Sequence, residues 1–263
     1  MKKQILIVGS GFSGMWAAVS AARLSALEGN NSLSIAVLAP VPELRVRPRF
    51  YEENVSTMVA PLTELFVELG IAFISGEAQR IDTSSKTVLY RDSNGAIAEV
   101  NWERLILATG SQTKRPPIAG LTEYAFDIDQ FDSARLFEQH LDSLVSRPST
   151  PERNTVVVCG GGFTGIELAT ELPARLRTRF GADTKTKVIV VERGATIGGR
   201  YSEALRNTIE EASNALDVEW RLNSEIEAID ASGVTLKNGE RIASATVVWT
   251  AGVEANPLSL QID

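Results

Sequence analysis

The sequence is poor in the residues that carry thiol and metal chemistry. Its 263 residues include one cysteine, Cys159, and one histidine, His140. A lone cysteine cannot form an internal disulfide or the thiol pair of a dithiol redox centre, so reduction of disulfides through such a pair is excluded. Cys159 lies in an apolar strand and is predicted to be small core filler. His140 stands in a polar helical stretch without other metal ligands, and we predict a surface position.

The sequence also lacks an excess of positive charge and a long apolar run. Its formal net charge is −7 at pH 7, whereas proteins that bind nucleic acid carry a basic face. No stretch approaches the roughly 20 apolar residues that cross a bilayer. The apolar run near the N-terminus breaks at Gly9 without a cleavage site, so we predict a buried strand there rather than a signal peptide. We therefore expect neither a nucleic-acid partner nor a membrane-spanning segment.

Two glycine-rich turns of the same design stand about 150 residues apart, Gly9-Ser10-Gly11-Phe12-Ser13-Gly14 and Gly160-Gly161-Gly162-Phe163-Thr164-Gly165. The first glycine of such a turn allows a tight bend, the second lets backbone N–H groups approach a pyrophosphate, and the third lets a helix pack closely on a strand. The anion then lies at a helix N-terminus, which favours negative charge. Two copies, each between an apolar strand and a helical stretch, predict two dinucleotide sites; either turn alone is also compatible with a flexible connection.

The hydrophobic pattern around each turn predicts a strand-helix-strand unit. These elements are expected at 4–8, 13–27 and 33–38, and again at 155–158, 164–180 and 188–192. Short alternating segments at 78–101 and around 234–239 predict a small antiparallel meander in each half. We therefore predict an α/β fold with two Rossmann-like parallel sheets, each accompanied by such a meander.

The domain boundaries are predicted from composition. Residues 146–154 are polar, contain proline and show no periodicity, which is typical of a linker. We accordingly predict a first domain at 1–145, a second at 155–252, and a segment at 253–263 that returns toward the first.

The end of the second strand in each unit discriminates between ligands. In dinucleotide-binding units a carboxylate at the end of the second strand accepts hydrogen bonds from the adenosine ribose. Glu192 stands at this position in the second unit. A carboxylate there favours NADH over NADPH, although Arg193 offers some compensation, and an ordinary solvated acid is the alternative. The first unit has Ala39 instead, which provides no carboxylate. Arg47 or Arg49 is a candidate for the nearby pyrophosphate, with a solvated basic loop as the alternative.

The order of these motifs resembles one protein family. The two glycine turns, Leu107-Ala108-Thr109-Gly110, Ile166-Glu167, Trp249-Thr250-Ala251-Gly252 and Asn256-Pro257-Leu258 follow one another as in flavoproteins of the two-dinucleotide-binding superfamily. The chain is most similar to the type II NADH dehydrogenases, and Arg47-Pro48-Arg49-Phe50-Tyr51-Glu52 is also similar to a segment of some of them. The resemblance covers essentially the whole chain.

The resemblance implies FAD at the first turn and NADH at the second, with hydride passing from NADH to the flavin and electrons to a quinone or another small acceptor. It implies a place near the nicotinamide for Glu167, which is the one candidate catalytic residue; an acid that simply favours the helix dipole is the alternative. The predicted cofactor-binding residues are Gly9, Gly11, Phe12, Ser13, Gly14, Arg47, Ala78, Thr109 and Gly110 in the first half, and Gly160, Gly162, Phe163, Thr164, Gly165, Glu192, Ala251 and Gly252 in the second. No metal is predicted.

The resemblance also implies segments beyond Asp263. Members of the family continue with another strand, a Gly-Asp motif that closes over the flavin, and a further domain. We therefore expect an open flavin site and an unpaired sheet edge that invites a partner strand. A truncated, catalytically inactive NAD(H)-binding module or pairing subunit is thus the alternative function. The expected location is cytoplasmic or peripheral at the inner face of the membrane, and a homo-oligomer is left open.

Overall fold

The structure is a computed structural model that describes residues 3–29 and 32–262. The predicted first domain at 1–145 and the predicted segment at 253–263 contain five residues that lie outside the described ranges: Met1, Lys2, Asn30, Asn31 and Asp263. The chain divides into two compact units. The first contains residues 1–45, 59–112 and 255–263, and the second contains residues 46–58 and 113–254.

The first unit is built on a sheet in the strand order β7-β6-β5-β2-β1-β8. Its strands are β1 (Lys3–Val8), β2 (Leu33–Ala39), β3 (Glu43–Arg45), β4 (Val59–Pro61), β5 (Ala72–Asp82), β6 (Thr87–Asp92), β7 (Ile97–Asn101) and β8 (Arg104–Leu107). Its helices are α1 (Phe12–Leu27), α2 (Thr63–Glu68) and a 3-10 helix at Pro257–Gln261. Strands β5, β2, β1 and β8 are parallel, while β6 and β7 continue the sheet as the predicted antiparallel meander.

Both faces of the central strands β1 and β2 are buried over most of their length, which explains their continuous apolar sequence. On one face Ile7 packs against Met15 of α1 and Phe66 of α2. On the other face Leu6 packs beneath the meander, where Val88 is fully buried. Each such side chain contributes about 1.5–3 kcal/mol to folding through its burial.

The second unit repeats the arrangement. Its helices are α3 (Leu121–Tyr124), α4 (Phe131–Leu144), α5 (Phe163–Phe180) and α6 (Glu203–Ala215). Its strands are β10 (Ala125–Phe126), β11 (Thr155–Cys159), β12 (Lys187–Val191), β13 (Val218–Arg221), β14 (Ile226–Asp230), β15 (Gly233–Leu236), β16 (Arg241–Ala243) and β17 (Thr246–Trp249). The chain passes between the units within β9 (Ser111–Thr113) and β18 (Val253–Ala255).

The parallel sheet of this unit has the order β10-β17-β11-β12-β13, and β14, β15 and β16 form a separate antiparallel sheet. The two parallel sheets share one strand order. When the strand before the glycine turn is numbered 1 and the later parallel strands 2, 3 and 4 along the chain, both sheets have the order 3-2-1-4. These strands are β5-β2-β1-β8 in the first unit and β13-β12-β11-β17 in the second. The predicted fold class, two Rossmann-like parallel sheets each with a meander, is confirmed.

The predicted linker at 146–154 does not separate the two units, because it lies inside the second one. Helix α4, expected in the first domain, packs Phe137 and Leu141 against Val156 of β11. Arg153 is only 7% exposed, its Nε donates to the Leu144 carbonyl at 3.0 Å, and its guanidinium lies over Phe180. A polar, proline-containing composition indicates solvent exposure, but an arginine stem and guanidinium can be buried against apolar and aromatic groups.

The prediction that His140 lies on the surface is wrong. The imidazole is half-buried, its Nε2 lies 2.9 Å from Thr246 Oγ1, and its ring packs on Phe126 at 4.4 Å between centroids. Burial lowers the pKa of His140, and the charge of Arg147 acts in the same direction. The folded protein therefore favours the neutral ring.

This lowered pKa predicts a pH-dependent stability. Below the unfolded-state pKa of about 6.5 the unfolded chain binds a proton that the folded chain resists, so the free energy of unfolding should fall as pH decreases from about 7.5 to about 5.5. Carboxylates titrate mainly below about pH 5, and His140 is the only histidine. Urea titrations of wild type and His140→Gln across this window test the effect. We expect a smaller pH dependence in the variant, and equal slopes would contradict the assignment.

Candidate dinucleotide sites

The second glycine turn is shaped by close approaches of its glycines to one another and to the turn after β17. Gly160 has a φ of +113°, a conformation that favours glycine. A Cβ on Gly165 would lie 1.9 Å from the Gly160 carbonyl oxygen and 2.8 Å from Thr250 Oγ1. A Cβ on Gly160 would lie 3.0 Å from the Cα of Ala251. These contacts hold α5 tightly against β11 and against the turn that follows β17.

The middle glycine of this turn faces open space. A Cβ on Gly162 would meet no atom within 4 Å, and Gly162 is the N-cap of α5 without a side-chain cap. The N-terminus of α5 is thus open to a ligand, as a backbone cradle for a phosphate requires. The turn therefore fits a dinucleotide pyrophosphate.

Glu192 is held at the mouth of this cradle. It follows β12 directly, so its side chain lies at the carboxyl end of the parallel sheet, where α/β proteins bind ligands. Its Oε2 accepts from the Gly161 N–H at 2.7 Å, and its Oε1 accepts from the Gly194 N–H at 2.7 Å. The carboxylate is therefore fixed beside the turn before any ligand arrives.

The turn after β17 completes the cradle. Thr250 Oγ1 lies 3.1 Å from both the Cys159 and the Gly160 carbonyl oxygens, and its N–H donates to Cys159 O at 2.9 Å. Gly252 has a φ of +105°. The structure thus brings the predicted residues Ala251 and Gly252 to the glycine turn. Thr250 of the same motif, which was not among the predicted binding residues, makes the connection.

The first glycine turn has the same geometry in its own unit. A Cβ on Gly14 would lie 1.9 Å from Gly9 O, and a Cβ on Gly9 would lie 2.2 Å from Ala108 O. Gly11 faces open space and is the N-cap of α1 without a side-chain cap. The Ser10 hydroxyl donates to the carbonyl oxygen of Glu43, the first residue of β3, at 3.1 Å. This cradle also fits a pyrophosphate, although β2 ends at the buried Ala39.

The other predicted residues of the first half are distributed over both units. Thr109 and Gly110 follow β8 and lie beside the first turn, which Ala108 contacts. Ala78 lies within β5, opposite Tyr90 of the meander.

Arg47 belongs to the second unit, where its Nε donates to Asp129 Oδ1 at 3.1 Å and its Nη2 forms an ion pair with the same atom. Pro48 favours a helical start, and Arg47–Arg49 forms a 3-10 helix.

Four of the predicted residues open the two helices. Phe12 and Ser13 begin α1, and Phe163 and Thr164 begin α5. Phe163 is more than half exposed, and its ring packs on Tyr201 at 4.3 Å between centroids. Tyr201 lies in the loop that follows Glu192 and was not predicted.

Trp220 is a further residue that the sequence did not indicate as part of the site. It lies in β13, and a Cβ on Gly161 would be 2.8 Å from its indole ring. Its position near the carboxyl end of a parallel strand is the available signal, since ligands bind at that edge. Trp220 is therefore an intrinsic fluorescence probe of the second cradle.

Glu167 lies in the first half of α5, two residues after the last glycine of the turn. Its side chain is half-buried, and burial raises the pKa of its carboxyl group. The Tyr51 phenol interacts electrostatically with it.

Cys159 is fully buried at the end of β11, as predicted. Burial raises the pKa of its thiol to about 12, so the reactive thiolate is suppressed. We expect no labelling by an aromatic disulfide reagent in the folded protein at about pH 8, and stoichiometric labelling in urea. Rapid labelling without urea would contradict the packing of β11.

Two other kinds of site are absent from residues 3–29 and 32–262. No helix in these ranges is long and apolar enough to cross a membrane. Within the same part of the chain, no group of three or more histidine, cysteine, aspartate or glutamate side chains is arranged to hold a metal ion.

The fold and the two cradles define an α/β protein with a dinucleotide-type glycine turn in each of two units. The family model of pyridine nucleotide-disulphide oxidoreductases matches residues 3–263, and the chain belongs to this family. The predicted superfamily is thereby confirmed. Family membership does not bring disulfide chemistry to this chain, because its only cysteine is buried.

Known proteins are similar to this chain over nearly all of this chain's residues. An NADH dehydrogenase-like protein of Mycobacterium tuberculosis is 37% identical over 265 residues, which cover 98% of this chain and 65% of that protein. A demethylphylloquinone reductase of Synechocystis is 29% identical and is covered to 63%. The solved structure of NDH2 from Plasmodium falciparum in complex with NADH matches 99% of this chain and 57% of its own, with a TM-score of 0.86 and 16% identity. The chain thus spans just under two thirds of these curated relatives.

Proposed function

We propose that the protein is an FAD-dependent NADH oxidoreductase that passes hydride from NADH to the flavin and electrons to a quinone. The observation that carries the proposal is the presence of two open glycine cradles, each at an uncapped helix N-terminus. One dinucleotide occupies one cradle, so two cradles in one chain indicate two dinucleotides.

The assignment of NADH to the second cradle is supported by Glu192. Its carboxylate, fixed by two backbone N–H groups, is oriented to accept hydrogen bonds from ribose hydroxyls. The 2′-phosphate of NADPH would meet the same negative charge, which disfavours that cofactor.

Two observations support FAD at the first cradle: the resemblance to the family implies a flavin there, and Gly11 leaves room for a pyrophosphate. The lack of an acid at Ala39 removes one contact with the ribose. A lost charge-assisted hydrogen bond of this kind costs about 1.5–3 kcal/mol. A ligand of FAD size has enough other contacts to bind without it.

The bound flavin would supply the hydride-accepting chemistry. The residues of this chain bind and orient: the α1 and α5 N-termini hold the two pyrophosphates, and Glu192 holds a ribose. Placement of two reactants next to each other is itself a large catalytic factor. Hydride transfer between two bound rings requires no general base.

The acceptor is proposed to be a quinone because the demethylphylloquinone reductase of Synechocystis is a relative of this chain. Acceptor screening of the NADH-reduced protein with short-chain quinones and with ferredoxin tests this choice. Oxidation by quinone alone supports the proposal, and oxidation by ferredoxin alone contradicts it.

The central experiment is an absorption spectrum of the purified protein with and without NADH under anaerobic conditions. We expect a yellow protein whose flavin absorbance bleaches when NADH is added. A colourless protein whose Trp220 fluorescence still responds to NADH would indicate the alternative function, an NAD(H)-binding module, which the alanine at position 39 favours. A protein that shows neither response would contradict both functions.

A further inference from the structure

The second residue of the second glycine turn has almost no room for a side chain. A Cβ on Gly161 would lie 2.8 Å from Cζ3 of Trp220 and 3.0 Å from Oε2 of Glu192. At such distances one of the neighbours would have to move. A Cβ on Gly162, the next residue, would meet no atom within 4 Å. Gly161 is therefore enclosed by the protein itself, between an indole ring and a carboxylate.

The two glycine turns are held to their sheets by equivalent hydrogen bonds. The Gly9 N–H donates to the Leu38 carbonyl oxygen at 2.9 Å. The Gly160 N–H donates to the Val191 carbonyl oxygen, also at 2.9 Å. The residues that follow these four are therefore at equivalent places in the two units, so the first turn can be compared with the second position by position.

The first turn has a different set of residues at these places. Ser10 stands at the place of Gly161 and carries a side chain. Ala39 stands at the place of Glu192, so there is no carboxylate to fix. The strand beyond carries the smaller ring of Phe73 at the place of the indole. The glycine, the carboxylate and the larger ring thus occur together in the second turn and are absent together from the first.

The end of β13 is connected to Glu192 by two routes. The Glu192 N–H donates at 2.9 Å to the carbonyl oxygen of Arg221, the last residue of β13. The Glu192 carboxylate accepts from the Gly161 N–H at 2.7 Å, and the Trp220 ring packs against Gly161. Trp220 and its neighbour in the strand therefore hold both the backbone and the side chain of Glu192.

The indole contributes its ring to this arrangement, and its N–H group contributes nothing. Trp220 is half-buried against the apolar core of the unit, and its Nε1 is buried without a hydrogen-bond partner among the described residues. An unpaired buried N–H is destabilising, and phenylalanine would avoid this cost. However, Cζ3 belongs to the six-membered part of the indole, which extends further from the backbone than a phenyl ring. The contact with Gly161 is thus what tryptophan adds over phenylalanine.

A carboxylate that is already fixed loses less conformational freedom when a ligand binds than one on a mobile side chain. We propose that Trp220 is a positioning residue for the choice of NADH over NADPH: its ring holds Gly161 in place, so that the Gly161 N–H fixes the carboxylate of Glu192 toward the ribose hydroxyls. The same fixed carboxylate opposes the 2′-phosphate of NADPH. The proposal rests on the function proposed above, because it requires NADH at this cradle.

The test measures the affinities of wild type and Trp220→Phe for NADH and for NADPH. Isothermal titration calorimetry is the method, because the substitution removes the Trp220 fluorescence. We expect NADH to bind about 2- to 10-fold more weakly to the variant, since one side chain must then be ordered on binding. NADPH should bind no more weakly. The ratio of the Kd for NADPH to the Kd for NADH, here named the cofactor ratio, should therefore fall by at least this factor.

Trp102→Phe is the matched control. Trp102 lies in the first unit, packs against the core of that unit, and also has a buried Nε1 without a partner among the described residues. The two substitutions remove the same atoms from similar surroundings, so their effects on the stability of each core are comparable. Trp102→Phe should leave the cofactor ratio unchanged. A fall as large as that in Trp220→Phe would contradict a specific role of Trp220.

Gly161→Ala tests the same contact from the other side, and it remains informative if Trp220→Phe does not fold. Its Cβ would collide with the indole and with the Glu192 carboxylate, so the cofactor ratio should fall. The fall should be smaller when Gly161→Ala is combined with Trp220→Phe, because the phenyl ring leaves room for the methyl group. An unchanged ratio in Gly161→Ala alone would contradict the proposal.

Glu192→Ala tests whether Trp220 acts through the carboxylate. In this variant there is no carboxylate to position, so the further change Trp220→Phe should leave the cofactor ratio where Glu192→Ala has set it. An additional fall of the size seen in the wild-type background would mean that Trp220 acts by another route, and the positioning role would be wrong.

The outcomes separate this inference from the function on which it rests. If wild type binds neither cofactor, or binds NADH no better than NADPH, the proposed use of NADH at this cradle fails. If wild type prefers NADH and Trp220→Phe keeps the same cofactor ratio, the role of Trp220 is contradicted while the proposed function stands.

Discussion

Replacement of Gly162 by valine is expected to weaken NADH binding by at least about 100-fold, equivalent to about 2.7 kcal/mol, while the fold stays intact. An added Cβ at this position meets no protein atom within 4 Å, and the backbone φ of −77° and ψ of 179° suit any residue. The valine side chain would therefore occupy space that the structure leaves open for the pyrophosphate. Titration of Trp220 fluorescence with NADH measures the effect.

The first cradle provides the matched control for this variant. Gly11 has the same open surroundings and the same N-cap position on α1, so Gly11→Val should spare NADH binding and remove FAD. Measured without FAD and NADH, the melting temperature of both variants should stay within about 2 °C of wild type, because neither side chain collides with the fold. If both variants lost the same ligand, the assignment of one dinucleotide to each unit would be wrong.

Replacement of Glu192 by alanine is expected to raise the Kd for NADH by about 10- to 100-fold, because charge-assisted hydrogen bonds to the ribose contribute about 1.5–3 kcal/mol. The variant also loses the carboxylate that repels the 2′-phosphate. The preference for NADH over NADPH should therefore shrink, with Arg193 left as the charged neighbour. Parallel titrations with the two cofactors give this ratio.

Glu227→Gln is the control for net charge. Glu227 lies exposed in β14, so its replacement removes the same charge at a distance from the glycine turn in sequence. It should change neither the NADH affinity nor the cofactor ratio. An unchanged ratio in Glu192→Ala would mean that the carboxylate is an ordinary solvated acid, the alternative that the sequence left open.

The parallel sheets and the two cradles were predictable because their sequence signals are local. An apolar strand such as Thr155–Cys159, a glycine turn and a helix lie next to each other in the chain. The first glycine of each turn has a positive φ, and the last would bring a Cβ within about 2 Å of the backbone. Glu192 was predictable by its position at the end of β12, since the carboxyl ends of the strands meet at one edge.

The unit boundaries, and the packing of residues 46–58 with the second unit, were not predictable by the same reasoning. Whether α4 packs with β8 or with β11 depends on tertiary contacts of Phe137 and Leu141, which helical periodicity does not specify. In the sequence, Arg175 fits the pattern of an ordinary polar residue on an amphipathic helix. Only the fold shows that its guanidinium is buried against a carbonyl more than a hundred positions earlier in the chain.

Two separate dinucleotides are proposed to bind to one chain. The decisive measurement is the simultaneous equilibrium binding of FAD and NADH. We expect one molecule of FAD and one molecule of NADH per chain, with NADH affinity retained when FAD is saturating. Mutual displacement of FAD and NADH, with a total of one dinucleotide per chain, would contradict it.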